Sequence, residues 1–243
     1  MNKDNIAIIL ANTKYPGNIG SVARAMYNMG LDRLVLAGPR CSINEESYRL
    51  AKSGKEILDS AKTFRSLQTA LRGTRFLVGT TGKSGGYRTQ TYSLKSMVPR
   101  ILDHAARQRV GILFGPEDTG LVDRDLALCQ LLIRIPTQPK ANSINLAQAV
   151  MIVSYELLLG TLDREPGHVP KLAPLEQVEA MYTQLENALV EVGFLHSENT
   201  KHMMMRMRRM LGKADLEKSD VGILRGIARQ INWYARTKIK NRS

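Results

Sequence analysis

The chain has 243 residues, 43% hydrophobic and 23% charged, an ordinary globular balance that excludes disorder, collagen and coiled-coil fibre. Its 35 Lys and Arg against 22 Asp and Glu give a formal charge of +13, which suits a polyanionic partner. With only 4 Phe, 8 Tyr and 1 Trp, it is too poor in rings for an RNA-recognition sheet that works mainly by stacking bases, so grooves and charge must carry such binding.

In chain order, short β-branched or Leu-rich runs at 6–11, 34–37, 75–80, 110–114 and 131–135 predict strands. Amphipathic or apolar stretches at 18–29, 46–58, 66–71, 94–107 and 145–160 predict helices between and after them. This alternation is the signature of βα units, so the expected fold is α/β with a mostly parallel sheet. The strands read as continuous apolar runs, which requires cover on both sheet faces. A catalytic domain is expected over 1–162. A charged, Pro- and Gly-rich linker is expected over 163–174, and a helical extension over 175–243.

Charge changes sign along the chain: net +9 over 1–160, −5 over 161–199 and +9 over 200–243. The basic end divides into two helical stretches. One interleaves Met203, Met204, Met205, Met207 and Met210 with Lys201, Arg206, Arg208 and Arg209. The other starts at Ser219 and runs through Val221, Leu224, Ile227, Ala228, Ile231 and Ala235 at helical spacing, with Arg225 and Arg229 on the remaining surface. Such a bundle is either a solvated basic face or, given the whole-chain charge, a surface for RNA phosphates.

Cys41 and Cys129 are the only cysteines and neither has a neighbourhood with metal-ligand spacing, so no disulfide framework and no metal site are expected. The first apolar run, 6–11, is too short for a signal sequence, and no stretch approaches the roughly 18 apolar residues of a membrane span. These features read as a soluble, reduced, cytoplasmic protein.

Four strand-end segments carry the candidate chemistry. Gly17-Asn18-Ile19-Gly20 follows the first strand, with Arg24 six residues after Asn18, close to two helical turns, a spacing that lets both side chains face the same cleft. Two glycines around a polar residue allow a tight approach to a ligand; a capped helix with a surface arginine is the plainer reading. Gly79-Thr80-Thr81-Gly82-Lys83-Ser84 fails the phosphate-loop spacing because position 77 is Leu, leaving a Gly/Thr loop on the usual ligand side of an open sheet, or a flexible surface loop. Gly115-Pro116-Glu117-Asp118-Thr119-Gly120-Leu121 follows the strongest strand and sets a carboxylate where it can orient an arginine or a hydroxyl, or simply form an acidic turn. Ser143-Ile144-Asn145-Leu146-Ala147 enters an apolar helix, which Ser143 or Asn145 could cap.

Taken in order, the segments Asn18–Arg24, Gly115–Leu121 and 143–147 resemble the three signatures of the SPOUT (α/β-knot) RNA 2′-O-methyltransferases over residues 5–160. The basic helical tail further resembles the TrmJ-type tRNA cytidine/uridine subfamily, which modifies the anticodon loop; methylation of rRNA ribose, or RNA binding without catalysis, are the rival readings. The resemblance implies a C-terminal trefoil knot, a homodimer with its active site at the subunit interface, and S-adenosylmethionine held by Thr80, Thr81, Gly82, Gly115, Ile135, Ser143, Ile144 and Asn145. It implies that Arg24 contacts the ribose 2′-OH, with Asn18, Glu117, Ser143 and Asn145 orienting Arg24, the nucleotide or the cofactor. It also implies tRNA contact through Arg24 and through Lys201, Arg206, Arg208, Arg209, Arg225 and Arg229 of the tail. Two departures stand out: Ile144 occupies a common Leu position, and Asn12-Thr13-Lys14-Tyr15-Pro16 makes a longer approach to the first motif.

Overall fold

A computed structural model describes residues 5–82, 91–138, 144–162 and 170–240, of which 238–240 by backbone alone. The chain divides into two compact units, Met1–Val169 and Pro170–Ser243.

Among the described residues the first unit has seven strands: β1 (Ile6–Ala11), β2 (Arg33–Ala37), β3 (Lys62–Phe64), β4 (Phe76–Thr80), β5 (Tyr92–Ser93), β6 (Val110–Phe114) and β7 (Leu131–Arg134). They form one sheet in the order β3-β2-β1-β6-β4-β7-β5, and every pairing is parallel. The central strands β1, β4 and β6 are buried almost throughout, as their unbroken apolar runs require for a sheet covered on both faces. The helices are α1 (Pro16–Asn28), α2 (Glu45–Ala51), α3 (Lys55–Asp59), α4 (Leu67–Ala70), α5 (Leu94–Ala105), α6 (Asp123–Leu126) and α7 (Leu146–Leu162).

Several expectations need correction. Helix α1 begins at Pro16 rather than Asn18, because proline's fixed φ suits the first helical position and its missing N–H costs nothing there. The helix expected over 46–58 is two helices separated by a 3₁₀ turn at Lys52–Gly54, where Lys52 takes φ 51°. The short elements β3, β5 and α6 carried no periodic signal. Gly17 and Gly20 form no ligand loop: both lie in α1, and a Cβ on Gly20 would sit 2.1 Å from the Ser47 carbonyl oxygen. Gly20 therefore exists to let α1 and α2 touch backbone to backbone. Replacing Gly20 by Ala is expected to destabilise this unit by about 3 kcal/mol, since neither backbone can yield; an unchanged denaturant midpoint would refute the contact.

The second unit is a three-helix assembly of α8 (Leu175–Glu191), α9 (Thr200–Leu211) and α10 (Lys218–Lys240). Helix α8, which the charge analysis passed over, supplies Val178, Met181, Tyr182, Leu185 and Ala188 to a core with Leu195, Met204, Val221 and Ala228. Residues 170–174, read from composition as linker, belong to this unit: Leu172 and Ala173 are buried, and the Ala173 amide donates to the Leu216 carbonyl. Residues 163–169 lie outside the described residues.

Candidate active site

Because every strand runs parallel, all strand C-termini meet at one edge, and the loops that follow share it. Strands β1 and β6 are neighbours with Leu10 opposite Phe114, so Thr13 and Glu117, each three residues further on, arrive side by side. The Thr13 hydroxyl donates to Glu117 Oε1 at 2.9 Å and the Lys14 amide donates to Oε2 at 3.2 Å. Asn18 Nδ2, from the first turn of α1, donates to Oε1 at 2.8 Å. Asn145 Nδ2, at the entry to α7, donates to Asn18 Oδ1 at 3.2 Å, while its own Oδ1 caps α7 by accepting from the Ala147 amide at 2.9 Å. One end of the Asn145 amide thus caps α7, as one expectation had it, while the other end reaches Asn18.

The direction of this chain of bonds is forced. An ionised Glu117 can only accept, so Asn18 turns its NH₂ to the carboxylate and its oxygen to Asn145. Burial raises the Glu117 pKa, but donors from Asn18, Thr13 and the Lys14 amide outweigh it and hold the carboxyl below its ordinary value of 4.5. A depressed pKa stabilises the fold above pH 4.5 and loses that contribution as pH falls through the folded value. Thr13→Val removes one donor at constant shape. It should raise the Glu117 pKa and lower stability at neutral pH by about 1 kcal/mol, a figure discounted because the site is partly open to water. Thr13→Ser should restore both. Titration of labelled Glu117 by NMR, with pH-dependent unfolding alongside, checks this; coincident curves for wild type and Thr13→Val would refute it.

Thr13 is fully buried and was missed among the site residues. The segment 12–16 was visible as an unusual approach, but its purpose depends on β6 lying beside β1, which no local pattern reveals. Lys14 from the same segment also pairs with Asp118, so two successive residues grip the loop after β6.

Beside this junction lies a cleft of about 330 Å³ lined by Thr80, Thr81, Gly82, Gly115, Glu117, Asp118, Leu121, Ile135, Ile144 and Leu146, among others. Six of the eight residues assigned to cofactor binding line it: Thr80, Thr81, Gly82, Gly115, Ile135 and Ile144. Asn145 stands at the adjoining junction instead, and Ser143 lies outside the described residues. Gly115 is required there: a Cβ would fall 2.2 Å from the Leu121 amide nitrogen. Among the described residues that line the cleft there are two carboxylates, Glu117 and Asp118, and no lysine or arginine. That lining fits S-adenosylmethionine: apolar walls and loop amides suit a nucleoside, and the acidic rim suits a cationic sulfonium better than a polyphosphate.

Arg24 lies on α1 beyond Asn18, exposed, and makes no hydrogen bond or ion pair among the described residues. In the second unit Lys201, Arg206, Arg209 and Arg229 are exposed. Arg208 is not available in the same way: its guanidinium is paired through both nitrogens with Glu179 and lies 4.3 Å over the Tyr182 ring, as a structural clamp between α8 and α9. Arg225 donates to Gln184 at 2.8 Å. Among the described residues no group of His, Cys, Asp and Glu could hold a metal ion, and no helix is long and apolar enough to cross a membrane.

A parallel α/β sheet whose strand-end loops converge on one cleft fits a SpoU-type methylase, and the SpoU rRNA Methylase family model matches residues 5–155. The model for the tRNA methyltransferase TrmJ C-terminal domain matches residues 176–242. The chain is 34% identical to the tRNA (cytidine/uridine/adenosine-2′-O-)-methyltransferase TrmJ of Pseudomonas aeruginosa, over 96% of both chains. It is also 34% identical to the tRNA (cytidine/uridine-2′-O-)-methyltransferase TrmJ of Pectobacterium atrosepticum, over 92% of this chain and 95% of that one. The crystal structure of TrmJ from Z. mobilis ZM4 superposes with a TM-score of 0.81 at 32% identity, covering 93% of this chain and 98% of that one. This chain belongs to the TrmJ family of SpoU methylases.

Proposed function

We propose that this protein transfers a methyl group from S-adenosylmethionine to the ribose 2′-oxygen of a cytidine or uridine in the tRNA anticodon loop. The observation that carries the reading is the junction of Thr13, Asn18, Glu117 and Asn145 beside the nucleoside cleft, on a chain whose relatives bear that activity in their names. The matched C-terminal domain, described as that of a tRNA methyltransferase, favours tRNA over rRNA as substrate.

Bound cofactor supplies a sulfonium-activated methyl group, held by Thr80, Thr81, Gly82, Gly115, Ile135 and Ile144. The remaining task is to align a weak nucleophile and let its proton depart. Glu117 is poorly suited to take that proton, because both its oxygens accept hydrogen bonds and its basicity is suppressed. A guanidinium has no lone pair to offer a proton and serves as a donor. Arg24 therefore binds the adjacent phosphate and holds the 2′-OH in line, water receives the proton, and Glu117 with Asn18 fixes the helix that presents Arg24.

We infer further that the protein is a homodimer with the family's trefoil knot, acting in the cytoplasm. The support for the dimer is α7, a mostly apolar helix that leaves Tyr155, Leu159 and Leu162 exposed on one face, which a second copy would cover. Lys201, Arg206, Arg209 and Arg229 are assigned to tRNA phosphates, whereas Arg208 and Arg225 are assigned to holding the bundle together.

Incubating the purified protein with labelled cofactor and either total tRNA or rRNA tests the reading. Ribose methylation mapped by mass spectrometry to a pyrimidine of the anticodon loop is the expected result. Methylation confined to rRNA, or none despite cofactor binding, would overturn it.

A further inference from the structure

A 3₁₀ turn, Lys52–Gly54, separates α2 from α3. Its first residue, Lys52, takes φ 51°, a left-handed conformation that lysine seldom adopts and glycine adopts freely. Its last, Gly54, is buried against α1: a Cβ there would lie 2.5 Å from the Ala23 carbonyl oxygen and 3.0 Å from the Arg24 nitrogen. The backbone of the turn therefore rests on the helical turn that carries Arg24. On either side of Gly54, Lys52, Ser53 and Lys55 are exposed, as is Arg24 itself. Neither lysine makes a hydrogen bond or ion pair through its side chain among the described residues. The turn itself carries only cations, Lys52 and Lys55, with Arg49 one helical turn before it and the carboxylates Glu46 and Glu56 to either side.

Left-handed strain at a non-glycine residue persists only where the surroundings impose it, and such residues gather at functional sites. Here the turn is held by the close seat of Gly54 on the backbone of Ala23 and Arg24, and it carries two lysines whose ammonium groups have no partner among the described residues. Ammonium groups on flexible stems are point charges that tolerate varied phosphate geometry, in contrast to the directional fork of arginine. We propose that the turn Lys52-Ser53-Gly54-Lys55 is a phosphate-binding subsite for the tRNA backbone next to the nucleotide that Arg24 addresses. The subsite rests on the tRNA reading above. It would supply sequence-independent affinity and register while Arg24 supplies alignment.

The test uses full-length protein, unmodified tRNA and a salt series. In K52A/K55A the slope of log Kd against log salt should flatten by about 1.4 to 1.8, the release expected for two lost single-strand or duplex phosphate contacts. The kcat at saturating tRNA and the affinity for S-adenosylmethionine should stay at wild-type values. In K52G the slope should flatten by about half as much while the melting temperature rises, because glycine accepts φ 51° without strain. Folded variants with the wild-type slope would overturn the subsite, and so would a loss of kcat at unchanged slope. A wild-type protein that methylates no tRNA would instead defeat the parent reading, so the two failures are separable.

Discussion

Replacing Arg24 by alanine is expected to reduce methyl transfer to tRNA by about 10²-fold or more in kcat, with S-adenosylmethionine affinity unchanged. The reasoning is geometric. Arg24 is exposed on α1, makes no hydrogen bond or ion pair among the described residues and is not one of those that line the cleft, so its loss should leave both the fold and the cofactor pocket intact. Lysine at this position should recover only part of the rate, because it keeps the charge and loses the planar fork that holds phosphate and hydroxyl together. Single-turnover methylation with labelled cofactor, paired with calorimetric titration of the cofactor, separates the two quantities. A variant that retains wild-type kcat would remove Arg24 from the chemistry.

Gly115→Ala is expected to act on the other half of the site. The added Cβ would meet the Leu121 amide nitrogen at 2.2 Å and the Gly120 carbonyl carbon at 2.3 Å, both backbone atoms with no rotamer to escape into. The loop 115–121 must then move, and it carries Glu117 away from Thr13 and Asn18. Cofactor affinity should fall by at least about 10-fold, and thermal stability should fall with it by about 2–3 kcal/mol, the upper part of the range for overpacking. Calorimetry on the same samples reads both. Wild-type cofactor affinity in a folded Gly115→Ala protein would mean that the loop does not form the cofactor wall.

Much of this architecture was legible in the residues. Strands β1 and β6 begin and end where their apolar runs do, because a strand buried on both faces has no polar position to blur its limits. The Gly115–Leu121 and 143–147 motifs were legible as strand-end chemistry, and of the described residues assigned from them only Asn145 lies off the cleft wall, at its edge. Arg208 shows the opposite case. Its sequence context, a methionine stripe with interleaved cations, cannot distinguish a cation facing RNA from one clamped by Glu179, because that carboxylate stands 29 residues away on α8.

What the linear order of residues determined by itself was the alternation of strand and helix, the excess positive charge at both ends of the chain, and the small set of loops able to do chemistry. Those are local properties, set by side-chain period, glycine freedom and composition. The tertiary structure alone decided that Thr13 belongs to the site, that Gly20 seats a helix rather than a ligand, and that Lys52 and Lys55 lie on the turn against Arg24. Each of those depends on which strand or helix lies beside which, and contacts between segments distant in sequence leave no periodic trace in either partner.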